Sequence, residues 1–516
     1  MGPFSDTSDE KYDRGVSVDV KEVDTGAQLA RVSVILDDVE RLRIRRKIDR
    51  HLLPLMCSTS RVQSMDKTTL AYAAILGLET STHLTTDQYT WLSGRLGMVF
   101  FLSYLLLQYP QNLALQRFPV GKWMSLNIFV WSVALCCHAA CTNFAGLFVC
   151  RLILGMCEGA ITTGFMIVCS MFYTRNEQIV RVGYWLADDS TAIIVTALLS
   201  FGTLHIHTKG FEPWKWLMII TGFFTLLTAI AFFFLFPDSP TSAWFLTADE
   251  RAKAVQRIKE NQTGVENKRF KKEQMIEAIM DPKTWLFALF SALYNVPSSV
   301  QNQFQIILAS FGFNDLQTTL LSCVTGVLAI VVIITGVHIA SRFPGSIAWV
   351  GIAYLLPDLL AVFLANLLPW SDRVGLLCAI WLTAFGGASF VLSLAWVSQT
   401  TAGHTKRVVT NAIMLSAFCI GNATGFFMWQ AKYKPRNHVP WIVTGVCHVS
   451  CIGLFLAIRV LLKARNKARD AEPRDVSYES MYIVNLDDDG KRVEVKVDKE
   501  FLDLTDKQNR DFRYVL

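Results

Sequence analysis

The stretch KWLMIITGFFTLLTAIAFFFLF (215–236) is an apolar run whose one charged residue stands at its first position. A helix needs about 20 predominantly apolar residues to cross a bilayer, so this run predicts a membrane-spanning helix. Similar runs recur along the chain, six before residue 238 and six after residue 283. The twelve predicted spans are 52–75, 90–110, 122–142, 145–171, 180–203, 215–236, 284–309, 317–338, 346–366, 373–397, 408–430 and 440–462.

The composition of the whole chain agrees with a polytopic membrane protein. Of its 516 residues, 52% are hydrophobic and 18% are charged, and the mean hydropathy is +0.34. A soluble chain of this length would form two or three domains with a more charged surface. We therefore predict an all-α polytopic membrane protein. An enzyme is disfavoured, because the motifs supply no nucleophile and base pair, metal set or phosphate loop.

Basic residues next to the spans predict the orientation, because Lys and Arg near span ends are retained in the cytoplasm. One basic cluster (41–50) precedes the first span and another (463–469) follows the last. Further basic residues occupy alternate loops: Arg117, Lys122, Arg175, Arg181, Arg342, Lys406 and Arg407. The loop with Lys432, Lys434 and Arg436 is an exception. We expect both termini in the cytoplasm, and we attribute the net charge of +6 to topology rather than to nucleic-acid binding.

The long polar stretch between the two sets of spans divides the chain. The predicted parts are a cytoplasmic tail (1–51), a six-helix bundle (52–237), a cytoplasmic helical linker (238–283), a second six-helix bundle (284–462) and a second cytoplasmic tail (463–516). Both tails are charged and poor in hydrophobic residues, so we expect disorder apart from a short amphipathic helix over 34–48. Two such bundles are typical of secondary transporters, in which the halves rock around one central site.

Ionisable residues inside the spans are the first functional candidates, because a charge at the bilayer centre is costly. Arg151 and Glu158 are seven residues apart, so they lie on one helix face about 10.5 Å apart along the axis. A buried Arg can bind a carboxylate through two hydrogen bonds, and a Glu in a dry site can carry a proton. The alternative for Arg151 is pairing with a loop or a lipid headgroup.

Asp66 and Lys67 are adjacent in the first span and point about 100° apart, so each needs a partner on another helix. Lys67 could contact an anion and Asp66 could hold a proton. Alternatively, both lock the first span to a neighbouring helix.

The seventh span is unusually polar, and Pro297 is placed to bend it. Its polar residues are Tyr294, Asn295, Ser298, Ser299, Gln301, Asn302 and Gln303, and Asn411 and Asn422 in the eleventh span are of the same kind. We interpret them as substrate-lining, with hydrogen bonding between helices as the alternative.

Most of the twelve cysteines lie in apolar spans, and they show no metal or redox spacing. We expect them to pack between helices and predict no cofactor.

Several segments, in the correct order, resemble one family. RLILGMCEGAITTGF (151–165) and MFYTRNEQIVRVGYW (171–185) resemble the anion:cation symporter family of the major facilitator superfamily. Further segments resemble its fungal allantoate permease branch: MDKTTLAYAAILGL (65–78), QYPQNLALQRFPVGKW (108–123), FPDSPTSAWFLTADER (236–251) and NRDFRYVL (509–516).

This resemblance implies a major-facilitator fold and proton-driven uptake of small organic anions such as allantoate, nicotinate or pantothenate. In relatives, the Arg and Glu matching Arg151 and Glu158 bind the anion and couple the proton, and Lys67 best matches an anion-contacting residue of the first span. With the candidates above, the predicted substrate contacts are Arg151, Lys67, Tyr294, Asn295, Gln301 and Asn411, and the predicted proton-coupling residues are Glu158 and Asp66.

Two places depart from the family pattern. The loop QRFPVGKW (116–123) keeps basic residues, with Arg117 and Lys122 as gating candidates, but lacks the acid of the usual loop signature. Arg61 and Arg95 add positive charge to the first two spans, which would suit a larger or more acidic substrate.

The leading hypothesis is a monomeric plasma-membrane symporter of protons and a small organic anion. A vacuolar or other internal membrane is the alternative location. An exporter of an acidic secondary metabolite and a nutrient receptor with little transport are the alternative functions.

Overall fold

The computed structural model describes residues 17–18, 37–76, 78, 97–206, 211–258, 261, 270–313, 315–433, 436–471, 482–486, 492–496 and 502–516. Its first bundle contains six helices: α1 (Asp38–Ile75), α2 (Gly97–Arg117), α3 (Val120–His138), α4 (Phe144–Phe172), α5 (Arg175–Leu204) and α6 (Pro213–Leu235). The polar linker contains α7 (Ala248–Ile258) and α8 (Lys272–Met280).

The second bundle contains α9 (Pro282–Asn295), α10 (Ser299–Ser310), α11 (Asp315–Arg342), α12 (Ile347–Leu367), α13 (Arg373–Leu382), α14 (Gly386–Thr400), α15 (His404–Gly425) and α16 (His438–Asp470). Two 3₁₀ turns, Phe426–Met428 and Ala431–Tyr433, follow α15. In the described residues, nine segments are long and apolar enough to cross a membrane, counting α13 and α14 as one. With α1, α2 and the α9–α10 pair they match twelve spans, which confirms the predicted fold class.

The seventh span is broken where the sequence predicts a bend. Helix α9 ends at Asn295 and α10 begins at Ser299, with Pro297 in the gap. Proline has no backbone N–H and cannot continue the hydrogen-bond ladder. At its other end, α9 begins as predicted, with Asp281 accepting a hydrogen bond from Lys283 N and with Pro282 as the first helical residue.

Helix α1 begins at Asp38 and continues without a break into the first span, instead of forming a separate short amphipathic helix. Ile44, Ile48 and Leu52 recur at four-residue intervals and are buried. Lys47 forms an ion pair with Glu250 of linker helix α7 at 2.5 Å. The polar first turns of α1 are therefore stabilised by packing on the linker.

The two bundles meet along two helix pairs. Helix α5 packs on α11, and α2 packs on α15. The approach of α5 to α11 is close: a Cβ at Gly326 would lie 2.9 Å from the carbonyl oxygen of Ser190. We call the end of the two bundles that carries the linker helices the linker end.

The C-terminal tail corrects the expectation of disorder for its last part. Residues 502–516 pack on the linker end, with Asp506 and Phe512 fully buried. Elsewhere in the tails, β2 (Tyr482–Leu486) pairs with β1 (Ser17–Val18) in parallel and with β3 (Arg492–Lys496) in antiparallel fashion. Most of the N-terminal tail lies outside the described residues.

Candidate functional site

Helix α4 supplies two ionisable side chains to the centre of the first bundle. Asn143 caps the helix by accepting a hydrogen bond from Gly146 N, and α4 then runs unbroken past both positions. Arg151 and Glu158 are both buried and both reach α1. The prediction that they share a helix face is confirmed.

Glu158 forms an ion pair with Lys67 of α1. The Nζ and Oε2 atoms are 3.5 Å apart, so the pair is not a strong hydrogen bond. The Glu158 carboxylate is completely buried, whereas the Lys67 side chain is 33% exposed. Neither carboxylate oxygen accepts a hydrogen bond from the described residues. Lys67 also lies within electrostatic range of Cys419 in α15, so it faces the second bundle.

Asp66 points away from Lys67, as the 100° rotation predicts. The indole N–H of Trp131, in α3, donates to Asp66 Oδ2. The other carboxylate oxygen, Oδ1, is buried and accepts no hydrogen bond from the described residues. Sequence reasoning missed Trp131, because an aromatic residue in an apolar span carries no mark of function; its indole N–H, which needs an acceptor when buried, was the available signal.

The Arg151 guanidinium is buried with donors to spare. Its Nη1 lies 3.5 Å from the backbone oxygen of Asp66, and its Nε and Nη2 atoms have no hydrogen-bond partner among the described residues. Arg151 therefore does not reach a loop or headgroup, which was the alternative. Buried donors without partners are rare in proteins, and here they point to a ligand. We call Asp66, Lys67, Arg151 and Glu158 the central cluster.

The predicted residues of the second bundle are more dispersed. Asn295 Oδ1 accepts a hydrogen bond from Asn422 Nδ2 at 3.2 Å, which is a contact between α9 and α15. Tyr294 stacks on Phe390 with ring centroids 5.2 Å apart. Asn411 is buried, and its Nδ2 has no partner in the described part of the chain. Gln301 is exposed on α10.

The additional positive charge of Arg61 is compensated. Its guanidinium makes two hydrogen bonds of 3.0 Å to the carboxylate of Asp188 in α5. The neighbouring Asp189 accepts a hydrogen bond from Ser60 at 2.5 Å. The expectation of surplus positive charge at Arg61 is therefore wrong. Arg95 lies outside the described residues.

The loop between α2 and α3 receives its missing acid from the end of α6. Asp238 Oδ1 accepts hydrogen bonds from Gly121 N at 2.9 Å and Lys122 N at 3.3 Å. The Lys122 ammonium group donates to Phe233 O at 2.5 Å, within the same bundle, and Arg117 is exposed. Gln116, which was not singled out, crosses to the second bundle and donates to Thr405 at 3.0 Å.

Comparisons with known proteins agree with this architecture. Residues 57–461 match the family model described as Major Facilitator Superfamily. The chain is 32% identical to the thiamine pathway transporter THI73 of Saccharomyces cerevisiae, over 92% of this chain and 86% of that protein. It is 30% identical to the allantoate permease of the same yeast, with the same coverage.

A third yeast relative, a high affinity cysteine transporter, is 27% identical over 92% of this chain and 91% of that protein. Among solved structures, the proton:xylose symporter XylE aligns with a TM-score of 0.62 and 12% identity, over 78% of this chain and 96% of that one. This last likeness shows the fold alone. The named relatives are transporters rather than enzymes. The chain therefore belongs to the Major Facilitator Superfamily, in the fungal branch that contains allantoate permease.

Proposed function

We propose that this transporter couples the uptake of a small organic anion, a carboxylate of the allantoate, nicotinate or pantothenate kind, to protons. Arg151 and Lys67 bind the anion, and Glu158 carries the proton. The observation that supports this most directly is the ion pair of Lys67 with a completely buried Glu158.

The charges of the central cluster explain how a proton and an anion would bind together. With all four residues ionised, two positive and two negative charges cancel, and Lys67 is engaged by Glu158. A proton on Glu158 releases Lys67 and leaves the cluster with one net positive charge. An anion then compensates that charge, so each ligand raises the affinity for the other.

Asp66 has a different role in this scheme. The Trp131 indole N–H can only donate, so it stabilises the ionised carboxylate of Asp66. Asp66 then serves as the lasting counter-charge of Arg151, whereas Glu158 changes its charge during transport. We therefore propose Glu158 as the proton carrier and Asp66 as its auxiliary.

The remaining assignments are part of the same proposal. Asn411, with an unpartnered amide donor, is the strongest candidate for a substrate contact in the second bundle. Tyr294, Asn295 and Gln301 would line the path once the bundles move, and Arg117 and Lys122 would act at the gate. The protein would act as a monomer in the plasma membrane, with both termini in the cytoplasm.

Allantoate permease is named for an organic anion, which supports a carboxylate substrate. Export of an acidic metabolite loses one of its arguments, because Asp188 neutralises Arg61.

The test is uptake of a panel of labelled organic anions, allantoate among them, into cells expressing the protein at external pH 5.5 and 7.0. Arg151→Ala removes the proposed anion site. Arg342→Ala is the matched control, because it removes an exposed arginine at the end of α11. Uptake that rises on acidification and is lost only in Arg151→Ala supports the proposal. Faster loss of a preloaded acid, without uptake, indicates an exporter. Uptake unaffected by Arg151→Ala contradicts the proposed site.

A further inference from the structure

The last fifteen residues are held tightly against the second bundle. Asp506, fully buried, is their main anchor. Its carboxylate pairs with Lys406 at 2.7 Å and with Lys283 at 3.1 Å, and both ammonium groups are also buried. The hydroxyl of Tyr514 donates to Asp506 at 2.7 Å. Burial alone would raise the pKa of Asp506, but the two lysines outweigh it and hold that pKa well below its usual range.

Further hydrogen bonds fix both ends of this segment to the same bundle. Asp503 accepts a hydrogen bond from His404 N at 2.7 Å. The Trp396 indole donates to Val515 O at 2.8 Å. Asn466 and the Tyr514 backbone exchange two hydrogen bonds, of 2.8 and 2.9 Å. The segment must therefore move with the second bundle as one body.

Contact with the first bundle is made through Arg175, the first residue of α5. Its Nη1 donates to the backbone oxygen of Arg513 at 3.1 Å. Its guanidinium lies 4.2 Å from the ring centroid of Phe512, a geometry that gives a cation–π attraction. One side chain of the first bundle thus rests on a surface supplied by the C-terminal segment.

From this arrangement we propose that residues 502–516 form a C-terminal latch, which holds the linker end closed by receiving Arg175. In transporters of this kind the bundles rock against each other, and opening the linker end would carry α5 away from the second bundle. The Arg175 contacts can exist only while that end is closed. They therefore stabilise the closed state relative to the open one.

The latch acts together with other contacts across the same end. Gln116 donates to Thr405, and Arg407 donates to Ser170 at 2.6 Å. The segment is consequently one contributor to closure, and removing it shifts the equilibrium without abolishing it.

The test measures opening of the linker end directly and needs no substrate. Spin labels replace Phe118 in the first bundle and Phe343 in the second, both exposed. They are attached through a non-canonical residue, because the chain has twelve native cysteines. Pulsed electron spin resonance on the full-length protein in nanodiscs then gives the fraction of molecules with a lengthened distance.

Two substitutions remove the contact from opposite sides. Arg175→Met keeps the length of the side chain but removes its charge, and Phe512→Leu keeps an apolar side chain in the buried position. Each should raise the ratio of open to closed molecules by about three- to tenfold. The double variant should open no further than the single variants, because both remove one interaction.

Arg513→Ala is the matched control. It removes an exposed side chain that pairs with Asp470 but keeps the backbone oxygen that accepts from Arg175. The proposal requires an unchanged distance distribution in this variant. Arg175 also donates to Asn261 O at 2.7 Å, so Phe512→Leu decides the matter. If Arg175→Met opens the linker end and Phe512→Leu does not, Arg175 acts through another partner and the latch is wrong.

Discussion

The buried charges of the central cluster and those at the linker end differ in how completely they are paired. At the linker end, Asp506 is bound by Lys283, Lys406 and the hydroxyl of Tyr514. In the central cluster, both oxygens of Glu158 and two nitrogens of Arg151 lack hydrogen-bond partners among the described residues. The residue types are similar, and both groups are buried.

This difference separates charges that hold the structure from charges available to a ligand. A buried charge is stabilised only when partners replace the water that it has lost. At the linker end the partners belong to the chain itself. In the central cluster they are incomplete, which is expected where an anion and a proton complete the set during transport.

The largest expected effect is on stability, at the linker end. Asp506→Asn leaves Lys283 and Lys406 buried without their counter-charge, and breaking such a pair costs roughly 3–5 kcal/mol. Glu158→Gln removes a carboxylate that is already poorly paired, so its cost should be within about 1 kcal/mol. Thermal unfolding of both variants in the same detergent measures the contrast. Equal losses would contradict the distinction drawn between the two sites.

The second effect concerns transport. Glu158→Gln resembles the protonated state, in which Lys67 is released. We expect anion exchange to persist, while the dependence of uptake on external pH between about 5.5 and 7 disappears and accumulation falls roughly tenfold. Counterflow and net uptake of the same labelled anion measure the two activities. Uptake by this variant that still rises on acidification would assign the proton to another residue.

How much of this could be read from the sequence depends on the range of the interactions. The spans, the break at Pro297 and the shared face of Arg151 and Glu158 follow from local composition and helix geometry. The pairing of Lys67 with Glu158 does not, because it joins α1 to α4 and depends on how these helices are rotated in the bundle.

The C-terminal latch shows a second limit. Residues 463–516 are polar on average, and average composition predicts disorder. The exception is a short segment in which Asp506, Phe512 and Tyr514 find complementary partners on several helices. Its last eight residues, NRDFRYVL, were recognisable by resemblance, but their binding surface exists only in the folded chain.

A third prediction concerns the pH range over which the linker end is stable. Burial would raise the pKa of Asp281, but Arg465, Lys283 and Lys406 lower it to about 2. A depressed folded-state pKa contributes stability above the unfolded value of about 4, and this stability is lost as the pH falls towards 2. The melting temperature should therefore stay constant in its Asp281 contribution from pH 7 to 5 and fall below about pH 4. Asp281→Asn, compared over the same range, should lack that part of the decline.

The smallest effect is expected for Arg61, which belongs to neither extreme. It is fully paired with Asp188, but its side chain is 41% exposed, so the pair contributes at most about 1 kcal/mol to stability. Arg61→Gln leaves Asp188 without its counter-charge, and repulsion should raise the KM for an anion by about two- to fivefold without changing the maximal rate. Arg61→Gln combined with Asp188→Asn should restore the KM, because the net charge is again unchanged. If the double variant stays as weak as Arg61→Gln, Arg61 contacts the substrate itself, and the pair belongs with the central cluster rather than with the structural charges.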